Sequence, residues 1–126
     1  MIPKFRAWST DKKIMAEVRT LRFTDELVET DKFVERSIEG VKLMQSTGLL
    51  DKNGKEIFEG DILVAETDDE AVNVRIFWDE KHALFMFESK KYNEIEPLAE
   101  LVEATAYPFE IIGNVYENPE LLEVTE

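Results

Sequence analysis

Between Val72 and Trp78 the side chains alternate, with Val72, Val74, Ile76 and Trp78 on one side and Asn73, Arg75 and Phe77 on the other. A period of two belongs to a half-buried β-strand, whose successive side chains leave opposite faces; a helix would scatter the same residues around its axis. Asp79-Glu80-Lys81-His82 then reverses the chain into Leu84 to Glu88, so the two runs read as a hairpin. Ile62 to Thr67 is apolar on both sides, Leu63 and Ala65 opposing Ile62 and Val64, which places it inside a sheet rather than at an edge. Phe109 to Tyr116 supplies a last strand, in which Gly113 marks a bulge or a bend.

The first part of the chain also reads as extended. Ile2 to Trp8 is a short strand ending at the turn cluster Ser9-Thr10-Asp11, and Ile14 to Phe23 returns from it. Leu27 to Ile38 fits neither the helical nor the strand period and is taken as mostly extended. Gly40 marks a boundary, giving a small β-rich subdomain over 1–40 and a second over 41–126, which opens with a short strand from Val41 to Gln45. Asn53-Gly54 predicts a two-residue turn with both central residues at positive φ. One helix is expected over 97–106, with Pro97 at its first position, Leu98, Leu101, Val102 and Thr105 at helical spacing, and Pro108 disfavouring helix at Tyr107. Asn118-Pro119-Glu120-Leu121-Leu122 reads as one capped helical turn. The fold class is therefore mainly β, α+β at most.

Charge narrows the function. The chain carries a net charge of −13, yet residues 1–22 hold six basic groups against two acids, leaving −17 on residues 23–126. A field of that sign repels phosphate backbones and anionic membrane, so direct nucleic-acid binding is disfavoured outside the basic N-terminal segment. That segment, through Lys12, Lys13 and Arg19, is suited to neutralising an acidic face of its own chain or of a neighbouring copy. The absence of cysteine removes disulfides, thiolate metal sites and cysteine nucleophiles, and suits a reducing cytoplasm. The longest apolar run, Ala83 to Phe87, is far shorter than a membrane span, and no signal peptide or anchor is read.

Chemistry-bearing motifs are sparse. Asp51-Lys52-Asn53-Gly54 resembles the start of a calcium loop, but Gly54 falls fourth where that loop needs glycine sixth. Asp68-Asp69-Glu70, with Glu66, reads as a solvated connection between strands. His82 is the single histidine, so two-histidine metal motifs are excluded, and it reads as a turn residue beside Asp79 and Glu80. Gly48, Gly54 and Gly60 spell no phosphate loop and serve the backbone. No catalytic, cofactor or metal residue is assigned. Trp78, Phe85 and Phe87, with Phe77, offer either core packing or a stacking platform, and Trp8 divides between core and interface in the same way.

Three segments resemble the YopX family of phage and prophage proteins. They are Lys4-Phe5-Arg6-Ala7-Trp8, the block from Leu43 through Gly48, Asn53, Gly54, Gly60 and Asp61 to Ile62, and the block from Ile111 through Gly113 and Asn114 to Leu122. The resemblance implies an SH3-like β-barrel in the C-terminal part with a small β-rich unit before it, and it implies no reaction. A Gly-Asp entry, an apolar strand, a hairpin, a short helix and a last strand suit a small barrel. The expected role is a non-enzymatic interaction protein of the bacterial cytoplasm with a host or phage protein as partner. The alternatives are an acidic mimic of DNA that occupies a DNA-binding protein, and an enzyme of unrecognised type. Short edge strands and apolar residues such as Leu121 and Leu122 also suit a homo-oligomer.

Overall fold

Among the residues that the computed structural model describes, 3–35, 37–66, 69–103 and 108–123, β-strands dominate and one α-helix is present. The chain divides into two compact units, Met1–Ser46 and Thr47–Glu126. In the first, β1 (Phe5–Ser9), β2 (Ile14–Arg22), β3 (Leu27–Thr30) and β4 (Val34–Glu35) are successive antiparallel neighbours, and β5 (Val41–Leu50) flanks β1 on its other side. Register sets Ala7 beside Ala16 and Leu43, and these residues join Val28, Phe33 and Val41 in this unit's core. Leu27 to Ile38 shows no clean period because its strands are four and two residues long, too short for alternation to repeat. Between them the Thr30 hydroxyl accepts from Phe33 N (2.8 Å) and donates to Phe33 O (2.7 Å), closing a buried turn. Ile2, expected to start the first strand, and Arg36 lie outside the described residues.

The strand expected over Val41–Gln45 continues through Gly48, whose φ of 79° lies in the left-handed region, to Leu50. Its end enters the second unit beside β6 (Glu56–Phe58), where Thr47 Oγ1 donates to Ile57 O at 2.7 Å. β7 (Asp61–Glu66), β8 (Ala71–Asp79), β9 (Leu84–Ser89), β10 (Glu94–Pro97) and β11 (Phe109–Asn114) then form an antiparallel sheet in the order β10-β9-β8-β7-β11. As its two apolar faces require, β7 is interior. Leu63, Val72, Val74 and Ile76 bury one face of this sheet with Ile57 and Leu98, and Phe85, Phe87, Phe109 and Ile111 pack around them. Full burial of residues such as Ile57, Leu63 and Ile76 contributes about 1.5–3 kcal/mol each.

Four expectations need correction. The sheet is open among the described residues, so the closed SH3-like barrel is not formed. Closure would need its end strands to exchange hydrogen bonds, but β10 ends at Pro97, which has no N–H, and the chain turns at once into α1 (Leu98–Glu103). Pro97 is accordingly the last residue of a strand rather than the first of the helix; the expected helix end at Thr105 and Ala106, and Tyr107, lie outside the described residues. At Asn53-Gly54 positive φ falls on Gly54 alone (81°), because the Asp51 side chain accepts from Asn53 N and shapes a longer turn. Finally, Pro119–Leu122 is a 3-10 turn that Asn118 does not cap; its side chain is engaged elsewhere.

Three hairpin loops are built alike. Thr10–Lys13, Glu80–Ala83 and Lys90–Asn93 each end on a residue with φ near +54°: Lys13 at 55°, Ala83 at 54° and Asn93 at 54°. The residue before each loop accepts from its third amide: Ser9 Oγ from Lys12 N (3.2 Å), Asp79 Oδ1 from His82 N (3.4 Å), Ser89 Oγ from Tyr92 N (3.3 Å). Ser9 and Ser89 are buried polar residues for this reason.

Candidate functional site

The two longer motif blocks meet in the second unit, and Asp51 is their hub. Its Oδ1 accepts from Asn53 N and Lys55 N, both at 2.9 Å, and its Oδ2 accepts from Ile111 N at 3.0 Å, sixty positions away. Burial is the largest influence on this carboxyl and pushes it up, but the three backbone donors and the Lys55 charge together hold it below the ordinary aspartate value. Both oxygens are engaged by backbone N–H groups of the protein itself. Around it, Lys52 N donates to Phe109 O (3.0 Å), Asn53 Nδ2 donates to Glu110 Oε1 (3.0 Å), and Lys52 Nζ lies 3.7 Å from Glu110 Oε2. The turn thereby covers the outer edge of β11.

The other motif positions serve the same junction. Gly60, at φ 88°, donates to Ile76 O (2.7 Å) and accepts from Val115 N (2.8 Å), while buried Asp61 accepts from Phe58 N at 2.8 Å. Asn114 pairs in register with Asp61, and its Oδ1 accepts from Tyr116 N and Glu117 N. The ladder shifts between Ile111 and Gly113, the bulge expected there. A Cβ on Gly113 would lie 2.5 Å from Asn118 Oδ1, which accepts from Asn114 N. Only glycine admits that side chain.

The aromatic candidates do not form one exposed platform. Trp78, Phe85 and Phe87 lie on the face of β8 and β9 that bears the core; Phe85 and Phe87 pack against it, and Trp78 stands at its end, 40% exposed and edge-on to Phe85 with 5.0 Å between ring centroids. Phe77 points to the other face, under the Arg75 guanidinium at 4.5 Å. Trp8, half-buried on β1, belongs to the other unit and lies opposite Ala7's face, in register with Met15 and Lys42. His82 Nδ1 pairs with Asp79 Oδ2 at 2.7 Å; this bond first, and the amides of His82 and Lys81 after it, hold the Asp79 carboxyl low against some burial.

A cleft of about 180 Å³ opens between the start of β8, Lys90-Lys91 and the closing 3-10 turn, where Asn73 Nδ2 donates to Leu121 O at 2.8 Å. Lys91 pairs with Glu70, and Lys90 and Glu123 also line the wall, so its charges are mixed. Asp68 lies outside the described residues, and among those described no group of three or more acids and histidine gathers to hold a metal.

Acidity, by contrast, is sorted by position. Residues 1–46 carry nine Lys and Arg against eight Asp and Glu, a net +1; residues 47–126 carry six against twenty, a net −14. After Lys91 there is no Lys or Arg. Glu94 and Glu96 on β10 and Glu100 and Glu103 on α1 are all exposed. The hydrogen bond that protonated Glu100 donates to Glu96 and the Glu96 charge, then slight burial and the Glu103 charge, push the Glu100 carboxyl up. These four acids were not singled out by the sequence reading, since only the fold shows β10 to be a strand.

Residues 4–123 match the family described as YopX protein. Protein EF1440 from Enterococcus faecalis, a crystal structure, is similar with a TM-score of 0.66 and 32% identity, over 98% of this chain and 99% of that one. The crystal structure of protein yopX from Bacillus subtilis is similar in fold, with a TM-score of 0.56 and 18% identity over 95% of this chain and 98% of that one. No functionally curated protein matches the chain.

Proposed function

The chain belongs to the YopX family, and we propose that it is a non-catalytic interaction module of phage or prophage origin, working in the bacterial cytoplasm, whose C-terminal unit holds a basic partner protein. The sorting of charge carries this reading: +1 on residues 1–46 against −14 on residues 47–126. A field confined to one unit steers a basic partner to that unit and repels acidic ones. The motif residues support it in another way, because Asp51, Gly60, Asp61, Gly113 and Asn114 are engaged in holding the scaffold. The test is capture on the immobilised chain from a bacterial lysate at low and high salt. A basic protein retained at low salt, released as salt screens the field, and lost when acids after Lys91 are neutralised supports the reading. Repeated failure to retain such a protein removes it.

A second reading is favoured by the same uninterrupted acidity beyond Lys91: the unit imitates a phosphate array and occupies a DNA-binding protein. Duplex DNA should then compete with the chain for the captured protein. Capture indifferent to DNA eliminates this version and leaves the first.

A further inference from the structure

The two ends of the second unit's sheet are finished differently. On β11 the Asp51 turn supplies partners, Asp51 Oδ2 to Ile111 N and Lys52 N to Phe109 O, and a bulge interrupts the strand. Among the described residues β10 has neither device. Its register with β9 is regular over all four residues, Glu94 with Ser89, Ile95 with Glu88, Glu96 with Phe87 and Pro97 with Met86, and among the described residues no strand lies beyond it. In an antiparallel pair every second residue of the end strand directs its N–H and C=O outward. Edge strands are ordinarily blunted by shortness, charge, proline, a bulge or a cover; β10 is short and bears Glu94 and Glu96, but its proline comes only at the last position and Ile95 is 55% exposed.

We infer that β10 is a docking edge at which an extended basic segment of the partner protein adds as a further strand; this rests on the reading of the unit as holder of a basic protein. The pleat specifies the segment. Glu94 and Glu96 lie on one face and Ile95 on the other, so the incoming strand needs Lys or Arg at alternate positions with an apolar residue between them. A second copy's β10 is disfavoured as occupant, because the antiparallel register centred on Ile95 would set Glu94 of one copy against Glu96 of the other. Pro97 limits the added ladder to a short segment, with backbone bonds providing the adhesion and the acids the selection.

The test is titration of the full-length, isotope-labelled chain with a synthetic octapeptide alternating lysine and valine, followed by amide chemical shifts. Shift changes centred on residues 94–96, cross-strand contacts from the peptide to β10, and at least about tenfold weaker binding by the same peptide with alternate backbone nitrogens methylated are expected. The Glu94→Lys, Glu96→Lys double variant, altered only at exposed positions, should prefer a glutamate–valine octapeptide. Equal binding of the methylated peptide, shifts spread over the acidic surface, or no binding at millimolar peptide overturns the inference. Lysate capture that succeeds but survives the double variant overturns it while leaving the proposed function standing.

Discussion

Replacing Asp51 by alanine removes three backbone hydrogen bonds at once, and the geometry fixes how much each should cost. Asn53 N and Lys55 N sit in a surface turn and regain water, so each loss costs roughly 0.5–1 kcal/mol. Ile111 N lies in the strand that the turn covers, and leaving it without its acceptor costs roughly 1–2 kcal/mol. Together about 2–4 kcal/mol is expected, a fall in Tm on the order of 10–20 °C for a unit of this size. The pH dependence carries a definite sign. Asp51 is held below its unfolded value, so its stabilisation is fully present above about pH 4 and is lost as pH falls through the lower folded value. Urea unfolding of both chains should show a constant gap from pH 7 to about pH 5 that narrows below about pH 4. A gap under about 1 kcal/mol at pH 7, or one unchanged down to about pH 2, would refute Asp51 as an ionised hub.

Three further outcomes are expected. Gly113→Ala should destabilise by about 1–3 kcal/mol through collision with the Asn118 side chain, and Asn118→Gly should recover part of that loss in the double variant, as read by thermal denaturation. Ala83→Gly relieves a left-handed residue without a side-chain hydrogen bond and should stabilise by about 0.5–1 kcal/mol in urea titrations. Glu100→Gln should raise Tm at neutral pH. Because the Glu100 carboxyl is pushed up, the folded state binds its proton more readily and the repulsion is relieved on acidification, so the wild-type deficit should shrink between pH 7 and pH 4 in calorimetry.

What the sequence disclosed follows from where the decisive contacts lie along the chain. Val72 to Trp78 and Leu84 to Glu88 were legible because one face of each strand meets a core, and burial imposes alternation over several cycles. β10 was hidden: Glu94-Ile95-Glu96-Pro97 is too short to show a period, and a proline before Leu98 suits a helix start as well as a strand end. The Asn53-Gly54 step gave the place of a turn but not its form, since Asp51 draws the backbone toward Ile111 from sixty residues away. Ser9, Asp79 and Ser89 carried a local signal for their loops, a small acceptor just before a reversal, that hydrophobic periodicity does not register. Open topology was equally out of reach, because it depends on how end strands meet rather than on any one strand.

The covered edge at β11 and the edge at β10, which has no neighbouring strand among the described residues, also bear on the stoichiometry of the proposed docking. A ladder that can be lengthened at one end would accept a single addition, so the proposed docking should saturate at one segment per sheet. Seated there, the guest strand becomes the new boundary, and whether anything joins after it is decided by the guest's own side chains.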